Sequence, residues 1–318
     1  MSELSNNRGR AYEYSTVTVL AEEIGKIRPV EIEYNSAYDA ARRAWDAMPD
    51  NFQHILLESA YAAVSAIFDM EPLITEADGN DIVRLKIQTD DEGKRGDVRD
   101  ILIIRRDIKW EIGLSLKHNH FAVKHSRLAR TLDFGKTWFG VPCSEQYWAD
   151  IKSVFDELAI MKEQGKKWRE IEGKDRRIYI PLLRAFINEI RRSNTFYKEL
   201  PQKMVEYLLG EFDFYKVISI DGRRITRVQT YNLHGTLNLP SRKIKPKIFV
   251  PLASLPTRIV ELDFKPGSSN TVEMYMDGGW QFGFRIHNAS TMVETSLKFD
   301  IQLIGMPVSI ITIDCKWI

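Results

Sequence analysis

The sequence has little cysteine, no long apolar run and almost no net charge, and each shortage removes a class of answers. Two cysteines in 318 residues, Cys143 and Cys315, provide neither a disulfide framework nor the paired spacing of a zinc site. They read as packing thiols, and a cytoplasmic setting is expected. No stretch approaches the roughly 18 apolar residues of a membrane span, and MSELSNNRGR at the amino terminus lacks the apolar core of a signal peptide. No membrane partner is expected. Repeats and low-complexity tracts are absent.

A formal charge of +1 at first argues against a polyanionic partner. Local segregation matters more than the total for groove-sized electrostatics. Between positions 117 and 136, Lys117, Lys124, Arg127, Arg130 and Lys136 face one acid, Asp133, with His118, His120 and His125 interspersed. Between 222 and 247, Arg223, Arg224, Arg227, Arg242, Lys243, Lys245 and Lys247 occur with no acid. Such runs are commonly plain solvated faces; beside a metal-binding hairpin they become candidate phosphate surfaces.

Hydrophobic residues at 44% and charged residues at 28% are ordinary globular values with no sign of global disorder, so the chain is expected to fold. Periodicity predicts helices over 12–27, 36–47 and 51–68, with Ser36 and Asp39 resembling a capping box. Strands follow near 82–88, 98–105 and 110–118, then a helix over 119–132, a strand over 138–141 and a helix over 144–163. Residues 166–209 read as charged and helical. From Phe214 onward β-branched and aromatic residues alternate with polar ones, and prolines punctuate the segment. The division expected is 1–165, 166–212 and 213–318.

The chemistry concentrates in GDVRDILIIRRDIKWEIGLSLKHNH, positions 96–120. A turn centred near Asp107 and Ile108 sets Asp100 opposite Ser115 and diagonal to Lys117. Even spacing places Glu111, Gly113, Ser115 and Lys117 on one strand face, with Ile112, Leu114 and Leu116 buried on the other. A phosphodiester resists hydrolysis because both phosphate and attacking oxygen carry negative charge, which a divalent cation offsets. Asp100 and the outward carbonyl of Leu116 are the expected metal ligands, and oxygen donors with retained waters favour Mg2+. Lys117 would orient the attacking water.

This hairpin resembles the PD-(D/E)xK nuclease superfamily, whose pattern is an aspartate on one strand and an acid-x-lysine triplet on the next. The chain departs from it twice: Arg99, not proline, precedes Asp100, and Ser115 stands where the second acid is usual. Some restriction enzymes of that superfamily carry this serine and take the carboxylate from elsewhere, which leaves Glu111 and Glu58 as equal candidates. Glu111 lies about 13 Å along the strand from the Asp100 end; Glu58 lies on the preceding helix.

The wider text, GRAYEY, DVRDILI, WEIGLSLKHNHFAVKHSRLA, FGVPCSEQYW and FRIHNASTMVETSLKFDIQLIG, is similar to the HaeIII-type restriction endonucleases over most of the chain. The resemblance implies Mg2+-dependent cleavage of double-stranded DNA at 5'-GGCC-3', between G and C, leaving blunt ends. It implies an α/β fold: a restriction-endonuclease-like core, a mixed sheet flanked by helices, with a β-rich carboxy-terminal part for DNA recognition. Guanine O6 and N7 call for donors and the cytosine N4 amine for an acceptor, which suits arginine, asparagine and acidic side chains. Arg223, Arg224, Arg227, Asn232, His234, Arg285, His287 and Asn288 are the candidates for bases. His120 and His125 are candidates for the backbone and Lys124 for DNA contact, with 242–247 on phosphates.

Plainer readings stand beside these. Asp100 can merely cap the hairpin, Lys117 can be an edge-strand lysine, Glu111 a surface ion pair, and Arg285 a structural salt bridge. The string His118-Asn119-His120 is not read as a metal motif. Three functions remain at this level: a restriction endonuclease, a DNA-binding protein on the same scaffold with catalysis lost, and a small-molecule metal hydrolase. A blunt cut of a palindrome is compatible with a homodimer or with successive nicks by a monomer.

Overall fold

The computed structural model describes residues 3–76, 81–89, 97–121 and 123–317. It is mixed α/β, with two sheets and, among the described residues, eight α-helices. The chain forms two compact units. The first is residues 1–121, 210–254 and 308–318; the second is 122–209 and 255–307. The units interleave along the sequence, in place of the contiguous division that composition suggests.

The first unit carries a seven-stranded mixed sheet, in spatial order β1 (Val30–Glu33), β2 (Val83–Ile87), β3 (Ile101–Arg105), β4 (Trp110–His118), β6 (Phe214–Ile220), β7 (Ile225–Tyr231) and β12 (Thr312–Lys316). The pairs β1–β2 and β4–β6 are parallel and the rest antiparallel. Ile112, Leu114, Leu116, Tyr215, Val217 and Val228 belong to one buried core with residues of α1 (Glu3–Gly25) and α3 (Asp50–Met70). Each such aliphatic side chain contributes about 1.5–3 kcal/mol by leaving water. Ile112, Leu114 and Leu116, the predicted apolar face of β4, are buried, and so are Gly113 and Ser115 on the opposite face. A polar chain crosses this core: Tyr12 Oη to Ser59 Oγ at 2.8 Å, and Ser59 Oγ to Thr226 Oγ1 at 2.7 Å.

Helix α2 (Ser36–Asp46) starts one residue earlier than a Ser36 cap would require. Asn35 is the cap, its side chain accepting the Tyr38 amide at 2.8 Å. After α3 comes a single turn, α4 (Pro72–Thr75), and between them Glu71 is fully buried, accepting hydrogen bonds from Tyr215 Oη and from the Asn238 amide at 2.7 Å. Burial pushes Glu71 up to about 7, although both hydrogen bonds oppose the shift. A raised folded-state pKa means that the stability present at pH 4 is lost as pH rises through 7. Over that window the loss amounts to about 3 kcal/mol. Urea unfolding from pH 4.5 to 8 is expected to show this slope in the native chain and a flatter profile in Glu71→Gln; parallel profiles would refute it.

The second unit holds an antiparallel five-stranded sheet ordered β5 (Lys124–Ala129), β11 (Ser296–Gly305), β10 (Gln281–His287), β9 (Thr271–Met276) and β8 (Ile259–Phe264). The alternation predicted for β10 and β11 holds: Phe282, Phe284, Ile286, Leu297, Phe299 and Ile301 are fully buried. They meet aromatics of α5 (Phe134–Phe139) and α7 (Ile180–Phe196), with Trp138 stacked 6.0 Å from Phe284 and Phe186 5.1 Å from Phe299. Helices α6 (Glu145–Glu163) and α8 (Leu200–Leu209) complete the helical part.

Two expected elements change type. The helix predicted over 119–132 is strand β5, because 124–129 finds a ladder on β11, with Leu128 opposite Leu297. The strand predicted over 138–141 is helix α5, capped by Asp133, whose carboxylate accepts the Lys136 amide at 2.9 Å, and closed by Gly140 at φ +79°.

Candidate active site

The β3–β4 ladder pairs Ile101 with Leu114 and Arg105 with Trp110, a register that sets Asp100 opposite Ser115 as the sequence predicts. The backbone of Asp100 is fixed on two sides. Its N–H donates to the Leu114 carbonyl at 2.7 Å, and its own carbonyl accepts the Gln88 amide at 2.9 Å. Oδ2 then receives the Leu116 amide at 2.6 Å, the Lys117 ammonium at 3.3 Å and the Ser115 hydroxyl at 3.4 Å. In a strand, N–H and C=O of one residue face the same neighbour. The Leu116 carbonyl therefore shares the edge of Asp100, past the end of the β3 ladder.

Asp100 and Lys117 are 27% and 28% exposed, open to a ligand yet partly shielded from water. A carboxylate, a backbone carbonyl and an ammonium on one edge suit a hard divalent cation that keeps several waters, with a lysine placed to handle a proton. Among the described residues no cluster of three or more His, Cys, Asp or Glu is placed to hold a metal ion. The fit is therefore to an ion resting on Asp100, the Leu116 carbonyl, water and substrate oxygens.

Neither acid proposed as a third ligand joins Asp100. Glu111 accepts from Arg99 Nη1 at 3.0 Å. Arg99 is buried, grips Asp97 through Nε and Nη2 and lies 4.0 Å over the Phe212 ring. Its stem runs across Gly113, where a Cβ would meet Arg99 Cδ at 2.0 Å. Burial raises the Asp97 pKa, but the Arg99 and Gln88 hydrogen bonds outweigh it and hold the carboxyl below its usual value. The residue in the superfamily's proline position thus neutralises two acids. Glu58 accepts from Arg224 at 2.9 and 3.1 Å and has His54 3.7 Å away.

Two residues that the sequence reading omits lie beside the hairpin. Lys216 of β6 is the register partner of Ser115 and is 3% exposed. Asp221, in the β6–β7 turn, binds His118 Nε2 at 2.7 Å and Asn119 Nδ2 at 3.0 Å. Burial raises Asp221, yet the hydrogen bonds from His118, Asn119 and Ser219 prevail and keep it ionised below the usual range. His118 is accordingly a clasp at the end of β4. A lone lysine inside the apolar FYKVISI is the signal available for Lys216.

The residues proposed for DNA contact are spread over both units. In the first, Arg223 is exposed, while Arg224 (φ +48°) holds Glu58 and Arg227 holds Asp314 at 2.7 and 2.8 Å. His234 is exposed, with its amide bound to Asp213, and His120 is half-buried. Asn232 is buried and accepts the Leu237 amide at 3.3 Å, a loop-supporting placement that leaves no edge for a base. In the second unit, Lys124 donates to the Tyr207 carbonyl at 2.6 Å and sits on its ring. Arg285 pairs with Asp300 at 2.9 Å while remaining 55% exposed, so the structural salt bridge is present. His287 contacts the Asn288 carbonyl, and Asn288 lines an open cleft of about 400 Å³ with Trp168, Arg169, Ala289, Ser290 and Thr291. The side chain of His125 lies outside the described residues.

No described helix is long and apolar enough to cross a membrane. The family model for the HaeIII restriction endonuclease matches residues 9–307. The chain is 51% identical to the type II restriction enzyme HaeIII of Haemophilus aegyptius over 318 residues, covering all of this chain and 99% of that protein. No solved structure matches it.

Proposed function

The chain belongs to the HaeIII restriction endonuclease family, and from that membership we propose a type II restriction endonuclease that cuts double-stranded DNA at 5'-GGCC-3', between G and C, leaving blunt ends. The observation that carries the catalytic part is the meeting of Asp100 and Lys117, 3.3 Å apart on neighbouring strands beside the Leu116 edge carbonyl. Order β1-β2-β3-β4-β6-β7-β12, with helices on the buried face, fits a restriction-endonuclease-like core.

Mg2+ is the cofactor proposed; when bound, it offsets phosphate charge and makes its water a better nucleophile. Asp100 and the Leu116 carbonyl would hold it. Lys117 orients the attacking water and meets the charge that grows on the phosphate oxygens. Ser115 lends Asp100 a long hydrogen bond in place of a second acid. Glu58 and Glu111 act through Arg224 and Arg99, setting where those guanidinium groups lie. Arg223, Arg224, Arg227, Arg285, His287 and Asn288 are proposed to reach the major groove, where arginine matches guanine O6 and N7. Arg224, Arg227 and Arg285 would trade a carboxylate for a base or phosphate on binding. The setting proposed is cytoplasmic, and the palindrome is cut by a homodimer or by successive nicks.

The test is a linear duplex with one GGCC site incubated with and without Mg2+. Cleavage only with the ion, at that site, with ends that ligate directly to a blunt fragment, is expected. Cohesive ends, or cutting that ignores the site, would refute the reading. Log affinity for the duplex should fall linearly with log salt, by about 0.9 per phosphate contact; a flat response would remove the DNA partner.

A further inference from the structure

Lys216 occupies a position where a lysine is costly. It is 3% exposed on a strand where Phe214, Tyr215, Val217, Ile218 and Ser219 are buried as well. Bringing an ammonium out of water costs several kcal/mol, and an apolar side chain of similar volume ordinarily packs better. Its Nζ donates to the carbonyl of Phe121 at 2.8 Å. Phe121 is the last residue of the first unit's amino-terminal segment and lies three residues beyond the end of β4.

The segment leaving β4 is held in two places. Close to the strand, Asn119 adopts a left-handed φ of +50°, its amide donating to the Ser219 carbonyl at 2.9 Å while its side chain exchanges hydrogen bonds with Asp221. Farther out, Lys216 holds Phe121. Both anchors come from β6 or the turn after it, and both act on the few residues that follow Lys117. Burial, then the charge of Lys117, brings Lys216 down to about 7. An amine or an ammonium can donate to a carbonyl, so the tether does not depend on which form is present.

We infer that Lys216 is a positioning residue for DNA cleavage: by tethering the Phe121 carbonyl it fixes the path of the chain leaving β4, and with it the seating of Lys117 against Asp100. This rests on the hairpin being the catalytic centre. Misplacement of a reacting group by about 1 Å can cost 100-fold in rate, so a tether outside the substrate's reach can still govern turnover.

Lys216→Met keeps the length and removes the donor. Single-turnover cleavage of the GGCC duplex is expected to fall about 10- to 100-fold, duplex affinity without divalent ion to stay within threefold, and the thermal midpoint to hold or rise. Lys216→Arg, which retains a donor, should recover most of the rate. Hydrogen exchange of the free protein gives a readout independent of activity: the amides of 119–121 should exchange at least tenfold faster in Lys216→Met, and those of Ile112–Leu116 unchanged. Unaltered exchange at 119–121, a rate within twofold of the native enzyme, a rate loss matched by lost affinity, or failure of Lys216→Met to fold would each overturn the inference. If the native enzyme itself fails to cut, the catalytic reading falls, while the exchange data still decide the tether.

Discussion

Asp100→Asn should lower single-turnover cleavage of a GGCC duplex by a factor of about 1,000 or more while leaving duplex affinity within a few-fold. The carboxylate lies on the edge shared by the Leu116 carbonyl and Lys117, and Asn cannot supply its charge to a hard cation. Lys117→Ala should produce a loss of the same order, because the ammonium beside Asp100 is absent when charge develops on the phosphate. Lys117→Arg is not expected to rescue it, since a planar fork does not replace a compact ammonium 3.3 Å from one oxygen. Rates within about tenfold of native for either variant would remove that residue from the chemistry. Loss of binding together with rate would instead give it a ground-state role.

Gly113→Ala is expected to destabilise the first unit by about 3 kcal/mol or more, a magnitude usual for breaking a buried ion network. The added Cβ would stand 2.0 Å from Arg99 Cδ and 2.5 Å from Cγ, so the guanidinium stem must leave its groove. Arg99 then gives up Asp97, Glu111 and the Phe212 ring together. Asp97, whose side chain is only 12% exposed, is left as a shielded carboxylate without its partner. Since Arg99 directly precedes Asp100, cleavage should fall as well. Urea unfolding reads the first effect, and a loss below 1 kcal/mol would mean that the strand bends to accommodate the methyl group.

The hairpin is legible in the sequence because everything that sets it is local. A turn at 106–109 and a period of two fix which residues of β3 and β4 meet, and the resulting pairing of Asp100 with Ser115 is the one observed. Helices α2 and α3 are legible for the same reason, whereas α1 begins at Glu3, well before the predicted 12–27, and the single turn α4 is not foreseen. Strand β5 is not, because its partner β11 begins about 170 residues away, and KHSRLA reads equally well as a helix turn until that partner is known. The fates of Glu111 and Glu58 are hidden in another way. Strand rise gives the distance along β4 but says nothing of Arg99 folding back over Gly113, nor of Arg224 reaching helix α3. Among the candidates for base contact, chemical type is readable and burial is not: Asn232 has the right donors and sits in the wrong place.

The neighbour of β4 on its far side is β6, which begins at Phe214, about a hundred residues after the hairpin, and the outer strand β12 ends at Lys316. Translation delivers these pieces in order, with amino-terminal regions emerging first. A ribosome that stalls before codon 214 releases a hairpin with one bare edge, lacking both β6 anchors of the segment after Lys117. With the hairpin as the proposed catalytic centre, a chain released before residue 214 is expected to cut poorly, because nothing from β6 then seats the segment after Lys117.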